Sequence, residues 1–230
     1  VPRVLGIALA IDAVVWTLVV ATIEEIGAAG WGALAGLLLV FGAGLIDDLA
    51  PPGPRGLRDH LRSVASGRAT TGLIKVVVIV GSAVVVVALQ PDRPTWVAVL
   101  GVVLLSASSN VSNGLDVVPG RSLKAFVFPA LAFAIWGDSS HAPAVVGLLV
   151  GAVVVLPFDL RERAMLGDGG ANLLGFAAGI ALYDVLPDLW VGVAAAVAVV
   201  LNVVAETVSF SRVIERTPLL RWFDGLGRRA

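Results

Sequence analysis

Apolar runs of about 17 to 20 residues recur along this chain, roughly the length a helix needs to cross a bilayer. They fall at 4–22, 31–46, 71–89, 95–110, 122–136, 143–158, 171–187 and 189–208, separated by segments rich in Gly, Pro and charge. A soluble protein of this size needs polar faces on its helices, and most of these runs have none. Only 14% of residues are charged, 58% are hydrophobic and mean hydropathy is +0.95, far from a soluble globular composition. The valine runs 76–80 and 84–87 favour strands by propensity. Length and apolarity override that, because an open sheet edge cannot face lipid. The expectation is an all-α polytopic transmembrane helix bundle of about eight spans, one domain over residues 1–208. Residues 209–230 then form a basic, partly amphipathic tail that suits the membrane interface. With no cysteine, disulfides and thiolate metal sites are excluded. The chain starts at Val1 with no signal-peptide pattern, which reads as a fragment or trimmed chain with something missing upstream.

The basic residues orient these spans. Counting alternate ends, Arg3, Arg55, Arg58, Arg62, Arg68, Lys75, Arg121, Lys124, Arg161, Arg163 and the five arginines from Arg212 to Arg229 share one face. That is 15 of the 16 Lys and Arg; only Arg93 is opposite, where Glu24, Glu25, Asp92, Asp138, Asp184 and Asp188 lie. The Lys/Arg-rich face is expected to be cytoplasmic, with both ends of the chain on it.

Three polar islands interrupt the apolar chain on that same face: Asp47-Asp48, the run from Asn110 to Asp116, and Gly167-Asp168-Gly169-Gly170. Adjacent carboxylates at a membrane boundary repel and resist desolvation unless a cation offsets both costs. A solvated helix end is the plain alternative. Hard oxygen ligands of this kind suit Mg²⁺ or Mn²⁺, held by one or two carboxylates together with substrate phosphates. In the third island glycine lets backbone approach a ligand, and the following helix offers free N–H groups to phosphate. Asp168 is placed to ligate a metal bridging that phosphate, or to be an N-cap in a tight turn. Asn110, Asn113 and Asp116 follow at i, i+3 and i+6, roughly one face of a continuing helix. Asn110 alternatively bonds to a neighbouring helix. Lys75, about a turn into the third run, either snorkels to the interface or aims a cation at phosphate. Three islands on one membrane face point to a divalent metal and a lipid phosphate.

These motifs resemble the polyprenyl-phosphate N-acetylhexosamine-1-phosphate transferases, classed as glycosyl transferase family 4, which include the phospho-N-acetylmuramoyl-pentapeptide transferases. Gly44-Leu-Ile-Asp47-Asp48 is similar to that family's aspartate pair after a span. Met165-Leu-Gly-Asp168-Gly-Gly170-Ala-Asn-Leu-Leu-Gly175 is close to its F-M-G-D-x-G-S-x-x-L-G segment, the most specific match. Asn110-x-x-Asn113-x-x-Asp116 resembles N-x-x-N-x-x-D-G, and Pro2-Arg3-Val-Leu-Gly6 resembles P-x-x-G-G. The resemblance implies an enzyme of the bacterial inner membrane that moves a sugar-1-phosphate from a UDP-sugar to polyprenyl phosphate. UMP is released, Mg²⁺ (or Mn²⁺) is the cofactor, and envelope polysaccharide is the destination. It implies metal ligation by Asp168 and Asp116, and catalytic roles for Asp47, Asp48 and Asp116. Asn110, Asn113, Lys75 and Gly170 are expected on the substrates. Partners are the two substrates and the bilayer, with a homodimer allowed for and no nucleic acid.

The chain departs from that pattern in two places. The family's histidine-rich loop is absent; the two histidines are His60, in the long 47–70 segment, and His141, expected on the opposite face. Asp116-Val-Val-Pro119-Gly120 stands where the family reads D-G-x-D-G, so a second Asp is lost. An alternative register pairs Asn113 with the first Asp and Asp116 with the second. A catalytically reduced homologue that binds lipid phosphate or a partner without turnover is therefore the second reading. A transporter ranks last, with Asp12 its one ionisable candidate within a span and no inverted repeat of broken helices.

Overall fold

Ten helices and no strand account for the regular structure among the described residues of the computed structural model, which are 1–50, 71–91 and 93–228. The expectations for Arg55, Arg58, His60, Arg62, Arg68, Asp92 and Arg229 lie outside those residues. The helices are α1 (Leu5–Ala21), α2 (Ala28–Leu49), α3 (Thr71–Leu89), α4 (Thr95–Leu115), α5 (Arg121–Trp136), α6 (Pro143–Leu160), α7 (Gly167–Val185) and α8 (Asp188–Thr207), followed by the short α9 (Phe210–Arg216) and α10 (Pro218–Gly225). Each apolar run forms one helix, including the valine-rich α3, where lipid-facing length outweighs strand propensity. Among the described residues five helices, α2, α3, α4, α6 and α8, are long and apolar enough to cross a membrane. The protein is an all-α, polytopic membrane helix bundle.

Large apolar side chains ring the outside: Ile11 and Val15 on α1, Val77 and Val85 on α3, Val197 and Val200 on α8 are all exposed. Such a surface is stable only where the solvent is itself apolar. The interior is built around α7, which touches α1, α2, α4 and α5 and buries most of its length. Its glycines bring neighbouring backbones close. Gly179 lies against Leu105 of α4, Gly175 against Ser108 and Ser109, and Gly170 against Gly6 of α1. Because other helices shield it from lipid, α7 tolerates a less apolar sequence than the outer spans, as small-residue interfaces in membrane bundles do.

Helix ends run further than the hydrophobic pattern indicates. Helix α2 continues through Asp47 and Asp48 to Leu49, α4 continues past Asn110 to Leu115, and α7 begins at Gly167. The polar islands are thus terminal turns of helices rather than loops between them. All three meet at one end of the bundle, called here the motif end. At the opposite end Arg93 donates to the carbonyls of Leu186 and Asp184, at 3.0 and 3.2 Å, and lies 4.9 Å from the Tyr183 ring centre. This satisfies carbonyls left free at the C-terminus of α7.

Candidate functional site

The motif end brings three helix termini and an extended N-terminal segment into contact. The carbonyl of Pro2 accepts from Met165 N at 2.9 Å, and Leu5 N donates to Met165 O at 3.1 Å. That two-bond pairing carries Arg3 onto α2, where Arg3 Nη1 donates to Asp48 Oδ1 at 2.6 Å. The other Asp48 oxygen accepts from Gly169 N at 3.1 Å. An early backbone N–H of α7, lacking a partner within its helix, is thereby satisfied by a carboxylate from α2.

Gly167 starts α7 at φ +70, and a Cβ there would lie 2.6 Å from Asp48 Oδ2. Gly44, one turn before the aspartate pair, faces the backbone of Asp168 and Gly169, with room for no Cβ (2.6 Å from Asp168 O). Glycine at these two positions lets α2 and α7 approach closely enough for their acidic side chains to share one space.

Lys75 of α3 joins them. Its Nζ donates to Asp47 Oδ2 at 2.8 Å and to Asp168 Oδ2 at 2.7 Å, with the lysine side chain largely buried. A lysine ammonium with two carboxylate partners pays less of the desolvation cost that an unpaired charge would incur. Asp168 is held from behind as well: its carbonyl accepts from Asn172 Nδ2 at 2.6 Å. Asn172 is fully buried, and Ser109 Oγ of α4 reaches its backbone oxygen at 3.1 Å and its Oδ1 at 3.2 Å.

Asp116 caps the end of α4 in the turn leading to α5. Its carboxyl is pushed up to about 8, by burial first and then by the negative charges of Asp159, Asp168 and Asp48, with Arg3 opposing. Asp159, buried at the end of α6, accepts from Gly120 N at 2.6 Å and so fixes the far side of that turn.

Of the expected site residues, Asp47, Asp48, Asp168 and Lys75 form one bonded group with Arg3, and Asp116 lies within their electrostatic reach. Asn113 occupies the last turn of α4, half-buried. Two expected substrate contacts have packing partners of their own. Asn110 Nδ2 donates to Asn202 Oδ1 of α8. Gly170 is buried with its Cα against Gly6, where it serves helix packing and presents no open face. His141 sits at the opposite end, 3.1 Å from Asp184 Oδ1 and 3.6 Å from Asp138. Arg3, Asp159, Asn172 and Ser109 were not expected there. A buried acid at a span end was a usable signal for Asp159; the others depend on tertiary contacts.

Among the described residues, no group of three or more His, Asp or Glu is disposed to hold a metal with protein ligands alone. The donor set nevertheless fits Mg²⁺. It is made of hard carboxylate oxygens, and Asp116, raised by burial first, also feels the negative charge of Asp159, Asp168 and Asp48, which a divalent cation would relieve. Magnesium is commonly bound through one or two carboxylates with substrate phosphates completing its shell. Asp168 and Asp116, the ligands that the family resemblance implies, are the candidates to hold it.

An apolar cavity of about 450 Å³ lies between α4, α5, α7 and α8, its lining reaching Leu115, the residue before Asp116. Leu104, Phe126, Pro129 and Val197 line its walls, and the hydroxyls of Ser108, Ser112 and Ser122 are among its few polar groups. The sequence matches the family described as glycosyl transferase family 4 over residues 30–186, a stretch holding the aspartate pair, Lys75, Asp116 and Asp168. No curated protein matches the chain.

Proposed function

This chain belongs to glycosyl transferase family 4, and on that premise we propose that it transfers a sugar-1-phosphate from a UDP-sugar to polyprenyl phosphate. An oxygen of the lipid phosphate bonds to the sugar-bearing phosphorus, the bridging P–O bond breaks, and UMP leaves. The observation that carries this reading is the Asp47–Lys75–Asp168 group, built from three helices at one end of a membrane bundle. Phosphoryl transfer asks mainly for positioning and charge stabilisation, and little covalent chemistry from the protein. Lys75 and Arg3 supply positive charge for phosphate oxygens, and Asp47 and Asp48 hold those cations in place. The lipid phosphate is already anionic at neutral pH, so no strong general base is needed. A bound Mg²⁺ would neutralise diphosphate charge. An apolar cavity whose lining reaches Leu115, next to Asp116 in the chain, supports a prenyl chain as the acceptor's tail.

The Lys/Arg-rich motif end is assigned to the cytoplasmic face of a bacterial inner membrane, where nucleotide sugars are available. On this reading all eight long helices span, 1–208 is the catalytic domain, and 209–230 lies at the surface.

The test is the full chain in nanodiscs with polyprenyl phosphate, Mg²⁺ and a set of UDP-sugars, reading UMP release. Release that is lost in Asp168→Asn supports the proposal. No release from any donor by folded protein overturns it. That result would favour a lipid-phosphate-binding homologue without turnover, a reading supported by His141 standing at the end opposite the aspartates.

A further inference from the structure

The tail after α8 lies outside the family match, yet it is tied by its polar atoms to the turn that carries Asp116. Arg121, buried at the start of α5, grips Asp224 of α10 with two bonds, Nε to Oδ1 at 2.8 Å and Nη2 to Oδ2 at 2.9 Å. Its remaining nitrogen, Nη1, donates to Ser211 Oγ of α9 at 2.8 Å. Arg228 grips the same carboxylate at 3.0 and 2.6 Å and sends Nε to the carbonyl of Pro119 at 3.1 Å. Lys124 Nζ donates to the carbonyls of Phe223, Asp224 and Leu226 at 3.1, 2.7 and 3.1 Å. A lysine there satisfies the free carbonyls of the α10 C-terminus and complements its dipole.

Apolar contacts close the same joint. Phe223 meets Phe128 of α5 at 5.6 Å between ring centres, and Phe210 lies against Gly114 in the last turn of α4. The turn between α4 and α5 is therefore held on one side by Asp159 and on the other by the tail. Burial works against the Asp224 charge, but hydrogen bonds from Arg121 and Arg228 outweigh it and hold the carboxyl below the ordinary range.

We propose that Asp224 is a positioning residue: clasped by Arg121 and Arg228, it ties the C-terminal tail across the 116–120 turn and so fixes Asp116 at the aspartate group. Paired arginine–carboxylate forks of this kind are directional as well as strong, which suits them to fixing one geometry of a turn. The inference rests on the reading of Asp116 as a site residue. It adds that residues beyond the family match complete the site.

The test compares wild type, Asp224→Asn, Asp224→Glu and Arg221→Ser as full chains in nanodiscs. Arg221 is exposed on the tail and serves as the control. In Asp224→Asn, amide exchange over 114–121 should quicken by about tenfold or more while the interiors of α6 and α7 are unchanged. Mn²⁺ affinity and kcat should fall several-fold with the KM for acceptor unmoved, as expected when a group is displaced without loss of binding surface. Asp224→Glu should recover most of this, and Arg221→Ser should match wild type. Unchanged exchange over 114–121 overturns the proposal. So does faster exchange with unaltered kcat and Mn²⁺ affinity, which would make the tail only structural. Should wild type prove inactive, the transferase reading fails separately; exchange and Mn²⁺ affinity still decide this one, and absence of Mn²⁺ binding by wild type overturns it.

Discussion

Lys75 donates to Asp168 Oδ2 at 2.7 Å, linking residues 93 positions apart and setting one ammonium between two carboxylates. Removing the charge while keeping the length, as in Lys75→Met, leaves Asp47 and Asp168 to repel each other and removes a cation aimed at phosphate. Sugar-phosphate transfer should fall by about 10²–10³-fold, the scale seen when one stabilising donor is removed from an active site. Lys75→Arg should rescue poorly, since a planar fork does not fit a site shaped for a compact ammonium. Initial rates of UMP release check both.

Asp116 yields a pH dependence with a definite sign. Its carboxyl titrates at about 8, raised by burial first and then by Asp159, Asp168 and Asp48. At pH 7 it is therefore mostly protonated, and a cation must displace that proton. Mn²⁺ affinity should rise with pH by up to about tenfold per unit below pH 8 and level off above it. Asp116→Asn should flatten the curve. The folded value lies above the ordinary carboxylate value, so metal-free protein should lose stability as pH climbs from that ordinary range to about 8. Mn²⁺ titrations followed by electron paramagnetic resonance at several pH values measure the first effect, and thermal unfolding the second.

The approach of α2 to α7 depends on Gly44. A Cβ there would stand 2.6 Å from Asp168 O and 2.7 Å from Gly169 Cα, both backbone atoms with little freedom to yield. Gly44→Ala should cost about 1–3 kcal/mol, the usual cost of overpacking, and should loosen the aspartate group. Gly42→Ala, on the same helix with open space around it, should be near neutral. Unfolding of the two variants in the same detergent gives the comparison.

Much of this architecture is legible from the chain because one physical quantity dominates it. Runs as apolar as α3 or α8 have no stable alternative to a helix in lipid, whatever their valine content. The gathering of Asp47, Lys75 and Asp168 follows from counting helices, since every second terminus lands at the same end. Contacts that depend on side-chain reach were hidden. Arg3 meets Asp48 only because Pro2 and Leu5 bond to the backbone of Met165. The clasp of Arg121 on Asp224 joins residues 103 positions apart. Hydropathy does not mark helix ends where it stops but backbone bonding continues, as at Asp47-Asp48 and Gly167. Asn110 shows how a motif pattern and a packing need overlap at one residue, and only the position of α8 separates them.

That separation can be measured. Asn110 donates to Asn202 Oδ1, and Asn202 Nδ2 in turn donates to the carbonyls of Ala107 and Ala198 at 3.0 and 2.8 Å. The pair bridges α4 and α8 at the surface of the bundle, where an unpartnered amide facing lipid would be costly. A double-mutant cycle of Asn110→Leu and Asn202→Leu should give a coupling of about 0.6–1.7 kcal/mol in unfolding free energy, the range found for polar pairs between membrane helices. Asn110→Leu alone should leave kcat/KM for both substrates close to wild type. A residue bonding to substrate would instead cost roughly tenfold or more on truncation. A large kcat/KM loss without coupling to Asn202 would return Asn110 to the substrate site, and coupling without kinetic loss confirms it as a clamp between helices.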